Sequence, residues 1–568
     1  MINHYFKVAF RNFRKYRMQS VVGILGLAVG FICFALSVMW VRYEMSYDFF
    51  HEGADRLYLV RVESPFAMNG SNITPITPYP LAAYLKEHLP EVEDACNMSA
   101  WSSEIILDGV THKMFLAKVD SAFMRFFKIE VLEGSLDFLI EKSNKAAITQ
   151  EAAQKLFGDE SPLGKTYFEF GQENTICAVV KGWSKHSNYP FDILGPNYHA
   201  KDWNGSSWQT LVRLNTGVDA IAFAKKIYEH KIEKDGITFT KMLITLLTSV
   251  RYDHPDGKVD IKLEYILLFA VAGLLVIICS LFNTLTLFVT RFRIREKELA
   301  LRKVCGAAFL SLFALLSTEF LLMAGGAFLL GLFAIRPLLT PFRTISEVST
   351  PVSGIYLELA VYSVVIVLIA LLAFLLLLFF FQKRKLNVVI RNSSKNLSRK
   401  VSVVVQLIIS IGFIFCTAVM IKQIHFLHHV DMGIDFRNTA TVSLYPENDL
   451  KIVEDQLKQI PEITTTFTGH PSLMPKSMFM GIVLTDWDEK SAEAEGLDIE
   501  AVTVSKEYTE FYGFHVLAGE NIEERHTNDE VWLNETAVKA LGWNREEAVG
   551  KHVKHGAQVK SWEKTIVG

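Results

Sequence analysis

Cysteine is scarce and scattered: of six residues, Cys33, Cys279 and Cys416 sit in apolar runs, Cys305 in a basic stretch, and Cys96 and Cys177 in a long polar region. That is no disulfide framework, and at most one bridge, Cys96 to Cys177, is conceivable. No Ser/His/Asp, Cys/His or paired-carboxylate arrangement stands out, so no catalytic residue is assigned, and no basic and aromatic pattern suits nucleic acid. A phosphate-binding loop is missing too. The string GDESPLGKT from Gly158 to Thr166 has five residues between its glycines where such a loop needs four. A later copy ends Gly550-Lys551-His552, without the Ser or Thr that would hold Mg²⁺. Net charge is small, -3 over 568 residues, but this hides segregation: basic residues collect beside apolar segments and acids fill the long regions between.

What is present is apolar length. The chain is 50% hydrophobic with a mean hydropathy of +0.23, too apolar for an ordinary soluble protein and too charged to lie wholly in lipid. Five runs, about 19–41, 265–290, 308–335, 357–381 and 401–421, reach the roughly 20 residues that cross about 30 Å of hydrocarbon as helix. The first is longer than the core of a signal peptide and runs into Trp40-Val41-Arg42 with no small-residue cleavage site, so it reads as an uncleaved anchor.

Basic residues orient the spans. Lys7, Arg11, Arg14, Lys15 and Arg17 precede the first, Arg291, Arg293, Arg295, Lys297, Arg302 and Lys303 follow the second, and Lys383, Arg384, Lys385, Arg391, Lys395, Arg399 and Lys400 precede the fifth. All three clusters are expected on the cytoplasmic side. The layout is then a cytoplasmic leader 1–18, a span 19–41, an outer domain 42–264, a span 265–290, a cytoplasmic loop 291–307 and a span 308–335. An outer loop 336–356, a span 357–381, a basic linker 382–400, a span 401–421 and a second outer domain 422–568 follow. In the leader, Phe6, Phe10 and Phe13 share one helical face and Lys7, Arg11 and Arg14 another, as in a helix lying along the inner leaflet. Mixed alternating and helical patterns in 42–264 predict an α/β domain, so the fold class is a polytopic α-helical membrane protein with α/β extracytoplasmic domains.

The sequence also repeats itself. Phe126-Phe127-Lys128-Ile129-Glu130-Val131-Leu132-Glu133-Gly134 is answered by Phe511-Tyr512-Gly513-Phe514-His515-Val516-Leu517-Ala518-Gly519. Ala152-Ala153-Gln154-Lys155-Leu156 is answered by Ala537-Val538-Lys539-Ala540-Leu541, and Gly164-Lys165 by Gly550-Lys551. A weaker echo pairs Arg11-Asn12 with Arg391-Asn392. The near-constant offset, about 385 residues, predicts a tandem duplication of one helix, one outer domain and three helices. A second unit so defined ends without its closing helices, and the intact protein is expected to continue for roughly 200 residues.

Three further signals carry two readings each. His425, His428 and His429 beside Asp431 have metal-ligand spacing on a helix, but they stand where the fifth span emerges, so a helix end is the expectation and no metal is assigned. Glu319 lies within an apolar run and is a candidate proton or substrate site by default; because the run from Ala307 to Ile335 exceeds one bilayer thickness, a structural place near the inner edge of the membrane is favoured. Gly26 and Gly30 form a small-xxx-small pair, with Gly325, Gly326 and Gly331 as a second small surface, and both suit close helix packing.

Several stretches resemble one family. Arg11-Asn12, then Ile24-Leu25-Gly26-Leu27-Ala28-Val29-Gly30, then Glu44-Met45-Ser46-Tyr47-Asp48-Phe49-Phe50-His51 with Ala54-Asp55-Arg56-Leu57-Tyr58, resemble the opening of the large FtsX-like permeases of the MacB type common in Bacteroidetes. Glu296-Lys297-Glu298-Leu299-Ala300-Leu301-Arg302-Lys303-Val304-Cys305-Gly306-Ala307 resembles that family's cytoplasmic segment KEVGIRKVLGA, with Ala300 and Cys305 in place of commoner residues. The resemblance implies outer domains like the MacB periplasmic core and a separate ABC ATPase subunit as partner. It implies no cofactor on this chain, since ATP is used by that subunit, and no enzyme activity of its own. Leu299, Leu301 and Val304 would be the apolar contacts and Glu298, Arg302 and Lys303 the ionic rim of a short docking helix, with Gly306 turning into the next span.

The implied function is that of the permease subunit of a bacterial inner-membrane ABC system that exports or extracts a hydrophobic or amphipathic substrate. Other partners are membrane lipid and, as an open expectation, a periplasmic or outer-membrane component. A mechanotransmitter that activates a cell-wall hydrolase or sensor kinase is the alternative within the fold, and a membrane-anchored scaffold the alternative outside it.

Overall fold

The computed structural model describes residues 2–63, 73–140, 143–183, 186–196, 203, 206–253, 261–295, 309–346, 348, 352–382, 397–430, 439–440, 450–466, 480–491, 494, 496–502, 504, 506–522, 529–556 and 561–568. The chain divides into a helical unit, Met1–Ser46 with Ile261–His429, and a sheet unit, Tyr47–Asp260 with Val430–Gly568.

The helical unit contains α1 (Ile2–Lys15), α2 (Arg17–Glu44), α3 (Leu263–Ile294), α4 (Phe309–Ser346), α5 (Val352–Gln382) and α6 (Leu397–His429). Five of these are long and apolar enough to cross a membrane: Arg17–Glu44, Leu263–Arg291, Phe313–Ser346, Gly354–Leu376 and Val403–His429. In hydrocarbon every backbone polar group must be satisfied within the segment, which is why uninterrupted apolar runs here are helices.

Small residues set how α2 and α3 meet. A Cβ on Gly30 would lie 2.6 Å from Ser280 Cβ, one on Gly273 would lie 2.5 Å from Ser37 Cβ, and one on Gly23 would lie 3.6 Å from Leu287. As the α2 partner advances by two turns the α3 partner retreats by two, so the helices are antiparallel, with backbone meeting side chain along one seam. At Gly26 a Cβ would reach Asn283 Nδ2 at 3.5 Å. On the neighbouring side of α2, Leu27, Ala28 and Phe31 form a cluster with Phe320, Met323 and Ala327 of α4 and Ile366 and Ala370 of α5.

Helix α4 runs on through Pro337 and Pro341 to Ser346, where sequence reasoning placed an outer loop beginning at 336. Each proline removes one helical N–H, yet Ile335 and Leu339 on either side of Pro337 are buried with Ile32, Ala35 and Met39 of α2 and Ile355 and Leu359 of α5. Packing holds the helix where local preference would end it.

The sheet unit opens with a 13-stranded sheet whose main path is β12-β13-β1-β11-β4-β5-β10-β7-β9-β6. The strands are β1 (Leu57–Glu63), β2 (Ile73–Thr74), β3 (Thr77–Pro78), β4 (Val92–Leu107), β5 (Val110–Val119), β6 (Val131–Gly134), β7 (Lys145–Thr149), β8 (Thr166–Glu169), β9 (Gln172–Val180), β10 (Ile193–Pro196), β11 (Ser206–Leu214), β12 (Ile232–Lys234) and β13 (Ile237–Leu246). Most pairs are antiparallel; β5 with β10 and β7 with β9 are parallel. Three hairpin turns, Asp108-Gly109, Phe170-Gly171 and Asp235-Gly236, have positive φ at both positions, the mirror-image turn that matches strand twist. Cys96 and Cys177 are both unbridged.

A second sheet, ordered β15-β14-β17-β18-β16, is made of β14 (Met480–Trp487), β15 (Leu497–Ala501), β16 (Glu530–Val531), β17 (His552–Gly556) and β18 (Ser561–Ile566). It repeats part of the first in atomic detail. Thr149 caps the helix Gln150–Phe157 by accepting from Ala152 N, as Asn534 caps Glu535–Ala540 by accepting from Ala537 N. Gly164 N donates to Ile176 O at 2.8 Å and Ile176 N to Lys165 O at 2.9 Å; Gly550 N donates to Ile566 O at 2.7 Å and Ile566 N to Lys551 O at 2.9 Å. Both Gly134 and Gly519 have positive φ, and a Cβ on either would press on backbone, 2.9 Å from Ala178 Cα and 2.7 Å from Gly568 Cα.

Candidate functional site

The residues expected to meet an ATPase, Glu298, Leu301, Arg302, Lys303 and Gly306, lie outside the described residues. What is described is the frame around them, Arg295 just before the segment and α4 just after it. Arg295 Nη1 donates to Glu319 Oε1 at 2.7 Å, with both side chains only 5% exposed. Asn12 Nδ2, on α1, donates to the same oxygen at 2.6 Å and is buried as well. One turn back on α3, Arg291 Nε donates to Gln19 Oε1 at 3.2 Å and Nη2 to Ser20 Oγ at 2.8 Å. Its guanidinium also faces the rings of Tyr16, at 5.9 Å, and Phe288, at 5.5 Å.

This cluster revises three sequence-based expectations. Arg291 and Arg295 are not solvated loop cations but buried side chains, the first on the last turn of α3 and the second just past its end. Glu319 is structurally engaged, as favoured, but as the acceptor for two other helices and not as a lone acid. On α1, Phe6 and Phe10 face outward, whereas Val8, Ala9 and Asn12 are buried and Phe13 packs against the core, so the leader's inward face is the one carrying Asn12. Taking one partner from a buried ion pair costs about 3–5 kcal/mol, because the other charge is left in a poorly solvating place.

A second constellation lies in the sheet unit. Asp48, with φ of 60°, accepts at Oδ2 from Asn188 N at 3.0 Å and Asn188 Nδ2 at 2.6 Å. Its Oδ1 accepts from Ser187 Oγ and lies 3.4 Å from His51 Nε2. Serine and histidine both address the carboxylate, which is unlike the serine–histidine pairing of a nucleophilic site. His51 is walled by the rings of Phe127 at 4.7 Å and Trp183 at 4.8 Å. The chemistry is that of a staple which fixes the turn 47–51 to the loop 186–189.

Nearby, Asp120 accepts from the backbone amides of Asn97, Ala122 and Phe123. Burial nevertheless pushes its carboxyl up to about 6, against the pull of those amides and of Arg125. Burial likewise pushes the Cys96 thiol well up, aided by Asp120 and Asp94, so it is an inert core thiol.

The string GDESPLGKT follows a helix and leads into β8, the reverse of the strand-loop-helix order that a phosphate-binding loop needs. Lys165 is engaged with Glu160 in the same loop. His429 Nδ1 meets the backbone oxygen of His425 at 2.8 Å on an exposed helix end. Among the described residues no group of three or more His, Cys, Asp or Glu side chains gathers as metal ligands would.

Residues 20–229 match the family described as MacB-like periplasmic core domain. The chain carries a MacB-like core domain. The match takes in all but the first three residues of α2, the Asp48 staple and most of the large sheet, and so includes both an apolar helix and the domain that follows it in sequence. Among curated proteins none matches the chain. Solved structures similar to it include a domain of a protein described as a permease from Porphyromonas gingivalis, at 21% identity over 34% of this chain and 91% of that one, with a TM-score of 0.29. Others are the periplasmic region of MacB from Actinobacillus actinomycetemcomitans (13% identity, 35% and 91% covered, TM-score 0.27) and the extracellular domain of the noncanonic ABC-type transporter YknZ from Gram-positive bacteria (18%, 33% and 99%, 0.26). These likenesses are distant. The MacB-like core domain and five apolar helices together make this a membrane protein with an extracytoplasmic α/β domain.

Proposed function

We propose that the chain is the membrane-spanning permease subunit of an ABC system of the MacB/FtsX type. Hydrolysis by a separate ATPase subunit is coupled to movement of the outer domains, and the movement exports or extracts a hydrophobic or amphipathic molecule. The observation that carries this is one apolar helix running into a MacB-like core domain, followed by further apolar helices in the same chain. The segment 296–306 is the contact for the ATPase, with Leu301 as apolar anchor, Glu298, Arg302 and Lys303 as charged rim and Gly306 as the turn. Of the charged side chains buried in the helical unit, Arg291, Arg295 and Glu319 lie towards the ends of α3 and α4 that flank this segment, whereas Glu44 ends α2, and the groups buried along the spans, Ser37, Thr284 and Ser363, are small hydroxyls. A charged site near mid-span would favour a solute channel, whereas an ion pair at the ATPase end favours a mechanical device.

In this reading the N-terminus and 296–306 face the cytoplasm of a bacterial inner membrane, and both outer domains face the periplasm. Cysteine labelling of intact cells checks it. Asp202→Cys and Met480→Cys become accessible from outside and Lys297→Cys does not, and outside labelling of the last contradicts the topology. The purified chain has no ATPase activity of its own; hydrolysis that survives removal of every co-purifying ATPase overturns the division of labour.

A further inference from the structure

We propose that Glu319 is a positioning residue for coupling, tying the leader helix α1 to the neck of segment 296–306 so that displacement of that segment is passed to α1. The inference rests on the proposed function, in which 296–306 meets the ATPase.

The geometry is that of a shared acceptor. Arg295 is the last residue before the segment, and Glu319 stands about three turns into the helix that follows it, so their contact ties the two flanks of the segment together. Asn12 comes from a third helix and donates to the same Oε1 atom. Two buried donors converging on one oxygen are not independent: a motion that carries Arg295 away changes what Oε1 offers Asn12, and the reverse. Arg291, one turn earlier on α3, is tied to Gln19 and Ser20 of α2, so the inner end of α3 has one arginine for the α1–α4 contact and another for α2. The contact joins both flanks of the segment to the amphipathic leader, whose outward Phe6 and Phe10 are exposed and so available to the inner leaflet.

The test uses the full chain with its nucleotide-binding subunit in lipid nanodiscs, as wild type, Glu319→Gln, Asn12→Ala and a control, Glu358→Gln. Glu358 pairs at 3.5 Å with the largely exposed Arg42. Spin labels at Phe10→Cys on α1 and Leu321→Cys on α4 report the distance between the two helices. The wild type and the control are expected to give one narrow distance distribution, and Glu319→Gln and Asn12→Ala a broad or longer one. In the same samples, permease titrated against the ATPase should half-saturate at the wild-type concentration in both variants, while maximal stimulated hydrolysis falls about tenfold. A merely structural role would lower binding and turnover together. Should Glu319→Gln fail to insert, Asn12→Ala, which leaves the ion pair intact, carries the test. Unchanged distances and turnover in the variants overturn the inference. A wild-type chain that neither binds nor stimulates an ATPase overturns the proposed function and with it the coupling role, whereas wild-type stimulation with unchanged distances and turnover in the variants overturns the inference alone.

Discussion

Helices α2 and α6 are equally apolar, with mean hydropathies of 2.6 and 2.5 over their most apolar stretches, yet 44% of that stretch is buried within the protein in α2 and none of it in α6. Small residues mark where α2 meets its neighbours. Along α2, Gly23, Gly30 and Ser37 meet Met323 and Leu287, then Ser280, then Gly273 at backbone-to-side-chain range, whereas a Cβ on Gly412, in the middle of α6, would meet nothing within 4 Å. Apolarity suits both helices to a membrane; in α2 the small residues and the polar ties at one end mark where it meets α3 and α4.

The comparison breaks most easily at the polar end of the bundle. Arg295→Ala leaves the Glu319 carboxylate buried without its cation and should destabilise the helical unit by about 3–5 kcal/mol. Arg42→Ala, at an exposed pair, should cost under about 1 kcal/mol. Thermal aggregation of the two variants in mild detergent checks this, and equal loss would mean that the inner pair is solvated. Overpacking is next: Gly30→Ile forces atoms onto Ser280 and should cost about 1–3 kcal/mol, while Gly412→Ile, with open space around it, should be near neutral. Equal expression and melting of the two would remove the α2–α3 seam as the source of the difference.

The smallest effect contrasts the sheet unit with the membrane helices. The folded-state pKa of Asp120 is raised, to about 6, so the folded domain binds its proton more tightly than the unfolded chain does. The stability due to that proton is fully present below the ordinary carboxylate range and is lost as pH rises through about 6. Tryptophan-fluorescence melts at pH 5 and pH 7 should differ less in Asp120→Asn than in wild type; an unaltered pH difference contradicts the assignment.

Much of this was legible in the sequence, and for physical reasons. Spans declare themselves by length and hydropathy, and the duplicated half-domain by residues with fixed backbone roles: Gly134 and Gly519, or Gly164 and Gly550, recur because a positive φ must recur with the fold. The Asn12–Glu319–Arg295 cluster was not legible. Its members are far apart in sequence, and a rule that assigns sides by counting basic residues treats Arg291 and Arg295 as solvated whether or not they are buried. Two clues were available: an acid well inside an apolar run, and two arginines four residues apart at the end of a span, on the same helical face. The extension of α4 past Pro337 was hidden likewise, since proline is a local signal and the packing of Ile335 and Leu339 is not.

The central claim is that 296–306 couples this chain to an ATPase, and Glu298→Lys tests it most directly. The change adds positive charge on the side that already favours it, so insertion should be unaffected, while like charges are brought together at a contact that relies on complementary ones. Wild type and variant would be co-purified with the nucleotide-binding subunit and assayed for ATP hydrolysis in lipid. The account predicts that the variant inserts normally and loses binding and stimulated hydrolysis; full binding and full stimulation by the variant would contradict it.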